Sequence, residues 1–323
     1  MDSDKRYNDL NTYLRNRFGT KVYKLALSGG MTCPNRDGTC GDRGCIFCSE
    51  GGSGDFAAPA SMPVGEQISW AKEKLRDKLA GEFESAKYIA YFQSFTNTYA
   101  PLEYLEKLFS EAIADESVVA LSIGTRPDCL EPKVVELLSK LNRIKPVIVE
   151  LGLQTIHEKT EVFIRRGYPL LVFDDAMKRL QAAGLEVVVH VILGLPGEST
   201  EEMLDTVRYV GRYALGGRLG IKLQLLHILH GTDLGDMYEK APERFIEGGD
   251  LKLYLKEPEE YLEVLLRALE ILPPDVVIHR LTGDAPHDKL MFPMWSANKR
   301  TTLNAVVKEM RERDIRQGYK AHT

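Results

Sequence analysis

Short apolar runs alternate with amphipathic stretches along most of the chain. Six runs are strand candidates, and runs two to six are nearly continuously apolar, as in a sheet covered on both faces; they span residues 22–28, 88–94, 118–126, 147–154, 185–196 and 220–229. Between them, apolar residues recur at helical spacing, over residues 64–80, 101–115, 131–141, 157–183 and 200–213. Strands separated by single helices predict right-handed βαβ units and a parallel sheet. Six units are too few for a closed eight-stranded barrel.

The pattern changes after residue 234. A helix is expected over 258–271, an extended run over 276–283 and a charged helix over 298–313, without a clear linker. The sequence therefore predicts an α/β protein built on a partial barrel of six β/α units. We expect an N-terminal segment (1–21), the partial barrel (22–234) and a C-terminal α/β extension packed on it (235–323).

Composition and charge exclude several classes of protein. Hydrophobic residues make up 44% and charged residues 28% of the 323 positions, which excludes wholesale disorder and fibrous repeats. No apolar run approaches the roughly 20 residues of a membrane span, and the first residues lack an apolar signal core. We expect a cytoplasmic protein without a membrane partner. The net charge of −5 argues mildly against a protein that coats nucleic acid.

Four of the five cysteines lie within sixteen residues, directly after the first predicted strand. In a reducing compartment, such crowding indicates metal or redox chemistry. Cys45 and Cys48 form a CxxC pair, and Cys33 can approach it from across a glycine-rich loop. Three thiolates suit a [4Fe–4S] cluster with one open iron, whereas four thiolates, with Cys40 included, suit a structural zinc. The spacing alone leaves both possibilities open.

The cysteine loop resembles that of the radical S-adenosylmethionine (SAM) superfamily. The spacing Cys33-x11-Cys45-xx-Cys48 is similar to that of the Elongator catalytic-subunit type, and the loop resembles the bacterial YtqA/YhcC-type family. The segments that carry the resemblance are CPNRDGT (33–39), GCIFCS (44–49), GSGDF (52–56), YIAYFQSFTNTYAP (88–101), LSIGTRPDC (121–129), VELGLQT (149–155), GLP (194–196), HRLTGD (279–284) and MWSANK (294–299).

The resemblance implies a [4Fe–4S] cluster bound by Cys33, Cys45 and Cys48, with SAM on the fourth iron. Reductive cleavage of SAM would then yield a 5′-deoxyadenosyl radical that takes a hydrogen atom from substrate. Flavodoxin or ferredoxin would be a suitable electron donor. Cys40 departs from the family pattern and is interpreted as a bystander, and Cys129 as a packed thiol. Too few thiols remain for a second cluster.

The resemblance also implies cofactor and substrate contacts, beside which ordinary strand-end polarity and surface charge stay open as explanations. SAM contacts are expected from Gln93, Ser94, Phe95, Gln154, Arg165 or Arg166, His190, Gly194, Leu195 and Pro196. Substrate contacts are expected from Asn97, Tyr99, Arg126, Asp128, Lys222, His227, His279, Arg280, Trp295 and Lys299. Lys222 and His227 are predicted on opposite sides of the sixth strand, so that only one faces the barrel interior. Trp295 equally suits the packing of a C-terminal helix.

Three functions follow as hypotheses. The resemblance implies a tRNA-modifying enzyme that converts 5-carboxymethylaminomethyluridine, with or without 2-thiolation, at the wobble position to the 5-aminomethyl form. The acidic composition and the absence of an obvious RNA-binding module favour a small-molecule or protein substrate for the same radical chemistry. A zinc-stabilised binding protein without enzymatic activity is the third hypothesis.

Overall fold

The computed structural model describes residues 5–52 and 57–321, so the segment Ser53–Phe56 of the GSGDF motif lies outside the described residues. Seven parallel strands form one curled sheet, in the order in which they occur along the chain. They are β1 (Val22–Leu27), β2 (Lys87–Phe92), β3 (Val118–Thr125), β4 (Val147–Gln154), β5 (Glu186–Leu193), β6 (Leu219–Leu225) and, after a short hairpin strand β7 (Ile228–Leu229), β8 (Val277–Arg280). Strand β9 (Leu290–Phe292) pairs antiparallel with β7. The predicted α/β partial barrel is confirmed.

Helices connect the strands. They are α1 (Leu10–Phe18), α2 (Val64–Glu73), α3 (Arg76–Leu79), α4 (Leu102–Ala114), α5 (Pro132–Asn142), α6 (Glu158–Phe163), α7 (Leu170–Ala182), α8 (Thr200–Gly211), α9 (Asp233–Lys240), α10 (Pro258–Ile271) and α11 (Lys299–Glu312), with 3-10 turns at Ala80–Ser85, Pro127–Cys129, Pro242–Phe245 and Met294–Ala297. Their apolar stripes pack on the sheet, as when Phe109 of α4 meets Phe92 of β2 with ring centroids 5.3 Å apart. The helical spacing read from the sequence therefore marks the buried faces.

Three predicted elements are interrupted or shortened. The helix expected over 64–80 is divided into α2 and α3. The helix expected over 157–183 is divided into α6 and α7, because Gly167 adopts a left-handed conformation (φ +82°) and Pro169 cannot continue a helix. The sixth strand ends at Leu225, four residues earlier than expected. His227 therefore lies beyond β6, and the argument that placed it opposite Lys222 on one strand was wrong.

The C-terminal extension contributes to the sheet itself. Strand β8, from the run expected at 276–283, pairs parallel with β6, with Ile221 opposite Ile278 and Lys222 opposite Arg280. The sheet thus has seven strands, where the sequence predicted six. A seventh strand was missed because its partner lies more than 50 residues earlier, and pairing at that separation leaves no local sequence pattern.

Helix α1 covers the amino-terminal end of the barrel. Leu14 is buried there against Ile89 and Ala120, which face the barrel interior from β2 and β3. Asp9 caps the amino terminus of this helix, because its carboxylate accepts a hydrogen bond from the Thr12 amide. The N-terminal segment therefore closes the end of the barrel opposite the carboxyl ends of the strands.

The two ends of the described chain meet beside β8. Arg6 forms an ion pair with Asp314 (2.6 Å), and the Asn8 amide donates to the side-chain oxygen of Gln317 (2.9 Å). The Ile278 amide donates to the Asn8 carbonyl (2.8 Å), which extends the edge of the sheet.

Within the described residues, no helix is both long enough and apolar enough to cross a membrane.

Candidate active site

A cavity of about 220 Å³ opens at the carboxyl ends of the strands, between the cysteine loop and the inside of the sheet. Cys33, Cys45 and Cys48 all line it. Arg36 braces the loop by donating to the carbonyls of Cys48 (3.0 Å) and Ser49 (2.6 Å). The loop has no regular secondary structure, so these backbone contacts fix the positions of the thiols.

Asn35 ties the loop to the opposite wall of the barrel. Its amide nitrogen donates to the Arg165 carbonyl (2.5 Å) and lies 3.6 Å from the Cys45 sulfur. Burial raises the pKa of the Cys45 thiol to about 12, and the neighbouring charge of Cys48 adds to the rise. Thiolate is the form that binds metal, so a thiolate at this position needs a cationic centre to stabilise it.

The other two cysteines lie outside this cavity. Cys40 is exposed and Cys129 buried, and both line a separate open cleft beside Tyr99. Burial raises the pKa of both thiols, which keeps them protonated. Among the described residues, no group of three or more His, Cys, Asp or Glu side chains is arranged around a position for a single metal ion. A [4Fe–4S] cluster differs, because each thiolate binds a different iron at a different corner.

The structure brings about half of the predicted site residues to the cavity. The predicted residues that line it are Cys33, Cys45, Cys48, Gln93, Phe95, Arg126, Gln154, Arg166, His190, Lys222 and Arg280. The predicted residues outside its lining are Ser94, Asn97, Tyr99, Asp128, Arg165, Gly194, Leu195, Pro196, His227, His279, Trp295 and Lys299. The cavity wall thus combines residues expected for SAM with residues expected for substrate.

Both predicted arginines are held by protein groups. The buried Arg166 guanidinium donates to the carbonyls of Leu153 (2.7 Å), Thr155 (2.6 Å) and Tyr168 (3.1 Å) and pairs with Glu161 (2.5 Å). These contacts use most of its donors and fix the turn after β4. Arg165 forms an ion pair with Asp233. This geometry gives Arg166 a structural part, and a contact of either arginine with the SAM carboxylate stays a prediction.

Other predicted substrate contacts have structural partners. Asn97 is fully buried and donates to the Gly124 carbonyl (2.9 Å), so it joins the ends of β2 and β3. The Trp295 indole donates to the Lys256 carbonyl (2.6 Å) and packs beside Tyr261. The packing interpretation of Trp295 fits this arrangement. His227 lies 3.0 Å from the Ser296 hydroxyl, away from the barrel interior.

A ring of polar side chains that the sequence analysis largely missed crosses the barrel interior. Each of the seven parallel strands contributes one member. We call this ring the polar layer; it consists of Lys24, Tyr91, Ser122, Glu150, His190, Lys222 and Arg280. Five of the seven line the cavity, the exceptions being Lys24 and Ser122. The layer forms the inner end of the cavity, below the strand ends that carry Gln93 and Gln154.

Glu150 is the centre of the polar layer. It is fully buried, and its Oε1 accepts from Lys24 (2.7 Å) and Ser122 (2.7 Å). Its Oε2 accepts from His190 (2.8 Å) and from the Lys222 ammonium. Burial alone would raise the pKa of this carboxyl, but the ammonium groups of Lys222 and Lys24 bring it well below its ordinary value. Four donors occupy the carboxylate, so Glu150 positions its partners and is not placed to act as a general base.

Burial also acts on the partners of Glu150. It lowers the pKa of Lys222 to about 7 against the opposing effect of the Glu150 carboxylate. It lowers the pKa of His190 to about 4, and the Lys222 charge adds to that shift. His190 is therefore a neutral donor to Glu150. A single charged residue within an apolar strand, such as Glu150 in VIVELGLQ, was the signal that sequence analysis could have used.

One feature of the cavity fits a bound SAM. The side-chain oxygen of Gln154 is buried at the strand end and has no hydrogen-bond partner in the described structure. A buried acceptor without a donor costs free energy, and a SAM hydroxyl or ammonium group can supply the donor. Gly124 and Gly152 line the same wall. The residues present therefore fit the cofactor pair that the cysteine loop indicates.

Comparison with known proteins supports the cofactor pair that the cysteine loop indicates. A family model described as the radical SAM superfamily matches residues 37–210, and a radical SAM C-terminal domain matches residues 219–312. YtqA of Bacillus subtilis (strain 168) is 42% identical over 317 residues, which cover 98% of this chain and 93% of that protein. A tRNA uridine(34) acetyltransferase of Methanocaldococcus jannaschii is 29% identical over 173 residues, 54% of this chain and 30% of that protein.

A solved structure shares the fold. The archaeal Methanocaldococcus infernus Elp3 with an N-terminal deletion superposes with a TM-score of 0.65 at 21% identity, over 92% of this chain and 64% of that one. The thiol-lined cavity, the curled parallel sheet and the matched domains agree. The chain belongs to the radical SAM superfamily, in the family of YtqA, and is an enzyme whose class uses a [4Fe–4S] cluster and SAM.

Proposed function

We propose that this enzyme modifies the wobble uridine of tRNA, converting 5-carboxymethylaminomethyluridine, with or without 2-thiolation, to 5-aminomethyluridine. The observation that carries the proposal is the single cavity that joins three thiols at its mouth to a polar layer at its inner end. The relative that acts on uridine 34 of tRNA supports the choice of substrate. An unpaired anticodon base can be turned into such a cavity.

Cys33, Cys45 and Cys48 would hold the cluster, and Gln93, Phe95 and Gln154 would contact SAM. When bound, the cluster supplies the electron that cleaves SAM to methionine and a 5′-deoxyadenosyl radical. An electron donor such as flavodoxin or ferredoxin is part of the proposal. The protein's contribution is to align the substrate carbon with the cofactor and to exclude water.

The proposed reaction balances without a further oxidant. The CH2 group between the substrate nitrogen and carboxylate gives one hydrogen atom to the 5′-deoxyadenosyl group. A cluster held by Cys33, Cys45 and Cys48 would accept one electron from the resulting substrate radical, which would thereby become an iminium. Water adds to that C=N bond, the C–N bond breaks, and 5-aminomethyluridine, glyoxylate and one proton are released. The electron that entered is recovered, so SAM is the net two-electron oxidant.

Reconstitution under anaerobic conditions tests the proposal. The protein is loaded with iron and sulfide, given dithionite, SAM and tRNA that carries the carboxymethylaminomethyl group, and assayed for 5′-deoxyadenosine and modified nucleosides. We expect equal amounts of 5′-deoxyadenosine, glyoxylate and 5-aminomethyluridine. SAM cleavage with unchanged tRNA would overturn the tRNA substrate and favour a small molecule or a protein.

Two cysteine variants form a matched pair within the same loop. Cys45→Ala should lose most of the cluster iron and all SAM cleavage, because a cavity-lining thiolate is removed. Cys40→Ala should keep both, since its sulfur faces the separate cleft. Iron content, visible absorption and 5′-deoxyadenosine yield are the measurements. Full iron in a Cys33, Cys45 and Cys48 triple alanine variant would refute the ligand assignment.

A further inference from the structure

Positive charge exceeds negative charge at the inner end of the cavity. The carboxylate of Glu150 is shared by two ammonium groups, those of Lys24 and Lys222. Lys24 reaches it from outside the cavity lining and Lys222 from within. Both carboxylate oxygens already accept two hydrogen bonds each. One positive charge therefore remains without a compensating carboxylate when Lys222 is protonated.

A second shared carboxylate lies next to the first group. Arg280, opposite Lys222 in the paired strands, forms an ion pair with Asp284 (3.2 Å). The same aspartate also binds the Lys299 ammonium. Arg280 lines the cavity, whereas Asp284 and Lys299 line a small pocket next to it. Two cations again share one carboxylate, and one of them, Arg280, lines the cavity.

Lys222 has a donor available for a ligand. One of its three N–H groups binds Glu150, and a second is 3.1 Å from the Tyr91 hydroxyl. The ammonium nitrogens of Lys222 and Lys24 lie 4.9 and 4.6 Å from the centroid of the Tyr91 ring. These contacts fix the ammonium group of Lys222, a residue that is only 4% exposed. In the part of the chain that the structure describes, the third N–H has no acceptor, so it is left for a group inside the cavity.

We propose that Lys222 and Arg280 form an anion subsite that binds a carboxylate of the substrate. Given the proposed function, on which this identification rests, the ligand is the carboxylate of the carboxymethylaminomethyl group. An ammonium and a guanidinium are the donors that recognise a carboxylate in a buried site. Glu150 is then a positioning residue, because it holds Lys222 without contacting substrate.

The subsite would also orient the reaction. The carbon that loses hydrogen is bonded directly to the carboxylate carbon. Anchoring the carboxylate at the inner end therefore places that carbon between the polar layer and the cysteine loop, which is the positioning that radical hydrogen transfer requires. A 5-methylaminomethyl side chain lacks the anchor, so the subsite would discriminate against it.

Binding without reductant tests the subsite independently of turnover. The reconstituted enzyme with SAM is titrated by calorimetry with N-benzylglycine, which carries a carboxymethylamino group on a flat ring, and with N-methylbenzylamine, which lacks the carboxylate. Anticodon stem-loops with 5-carboxymethylaminomethyluridine and with 5-methylaminomethyluridine form the second pair of probes. We expect the wild-type enzyme to prefer the carboxylate member of each pair by about 10- to 100-fold, the range for a hydrogen-bonded charge.

Four variants give the comparison. Lys222→Met and Arg280→Met should each remove most of the preference, and Lys222→Arg should retain part of it. Lys140→Met on the exposed face of α5 removes the same charge far from the site and should change nothing. Circular dichroism confirms that each variant is folded, and the arginine variant of Lys222 keeps the test valid if Lys222→Met is unstable.

The outcomes separate the two proposals. Equal affinity for both members of both pairs in the wild-type enzyme would overturn the subsite, as would a preference that survives in both Lys222→Met and Arg280→Met. A Lys222-dependent preference for N-benzylglycine, with no binding or turnover of the stem-loop, would leave the anion subsite standing and overturn the tRNA substrate.

Discussion

Glu150 shows what a buried charge requires inside a barrel. The side chain is 0% exposed, yet it has four donors on four different strands, β1, β3, β5 and β6. An isolated carboxylate at this depth would be protonated, since desolvation strongly disfavours its charged form. The donors reverse this preference. The positions of the four donors therefore depend on one another, because all of them bind the same carboxylate.

Glu150→Gln should destabilise the protein by about 3 kcal/mol, since one acceptor oxygen is replaced by an amide that donates and Lys222 loses its counter-ion. The measurement is the free energy of unfolding in urea. Glu136→Gln on the exposed surface of α5 is the matched control and should change it by less than about 0.5 kcal/mol. A loss below about 1 kcal/mol for Glu150→Gln would show that the polar layer is not an ionic unit.

Single residues were the hardest to predict from sequence. The three cavity-lining cysteines were identified through the family resemblance of their loop, because the spacing alone also allowed a zinc site with four thiolates. Glu150 and Tyr91 were missed. The members of the polar layer lie on seven different strands, and they come together only when these strands align in the sheet. Trp295 was open to two interpretations, because a ring that packs and a ring that binds a base look the same in sequence.

The turn after β4 is the element on which the site geometry most depends. Gln154 at the end of β4 and Arg165 just after α6 both have positive φ, at 62° and 54°, which non-glycine residues rarely adopt. The buried Arg166 guanidinium holds this backbone by its bonds to three carbonyls. The strained turn leaves the Gln154 oxygen buried at the wall of the cavity.

Arg166→Met should therefore destabilise the protein by about 3 kcal/mol, because three buried carbonyls lose their donor. It should also weaken SAM binding through the displaced turn, with the affinity measured by calorimetry without reductant. Arg208→Met, on the exposed face of α8, is the control. Lost SAM affinity at unchanged stability would instead assign Arg166 a direct contact with SAM.

Element boundaries followed the sequence where one face of each element is buried. The first five strands and α4, α5 and α8 lie within a few residues of their predicted positions, because periodic apolar residues reflect packing directly. The pairing of β8 with β6 and the break between α6 and α7 were not predicted. The first depends on a distant partner, and the second on one glycine and one proline within a long helical pattern.

At the scale of the whole molecule, three half-buried histidines are expected to make stability depend on pH. Burial lowers the pKa of His190 and of His227 to about 4, and that of His279 well below its ordinary value. In the unfolded chain each would bind a proton near pH 6.5. The unfolded state therefore binds more protons between pH 6.5 and 4, and folding stability falls as pH decreases through this window.

His227→Asn should flatten this dependence. The histidine is expected to contribute a loss of about 2 kcal/mol between pH 7 and pH 5, from the difference between its folded and unfolded pKa. Urea midpoints at the two pH values measure it. His287→Asn at an exposed position should leave the slope unchanged. An equally steep slope in His227→Asn would show that His227 takes up its proton in the folded state.

The order of the strands along the chain has a consequence for how the enzyme is made. The cysteine loop follows the first strand, while the polar layer is completed only by Arg280 in the last, and Asp314 and Gln317 join the chain ends later still. During synthesis on a ribosome, the thiols emerge long before the wall that will cover them. The nascent chain therefore carries its three cavity-lining thiols uncovered for most of translation. We expect cluster insertion to compete with oxidation during that interval.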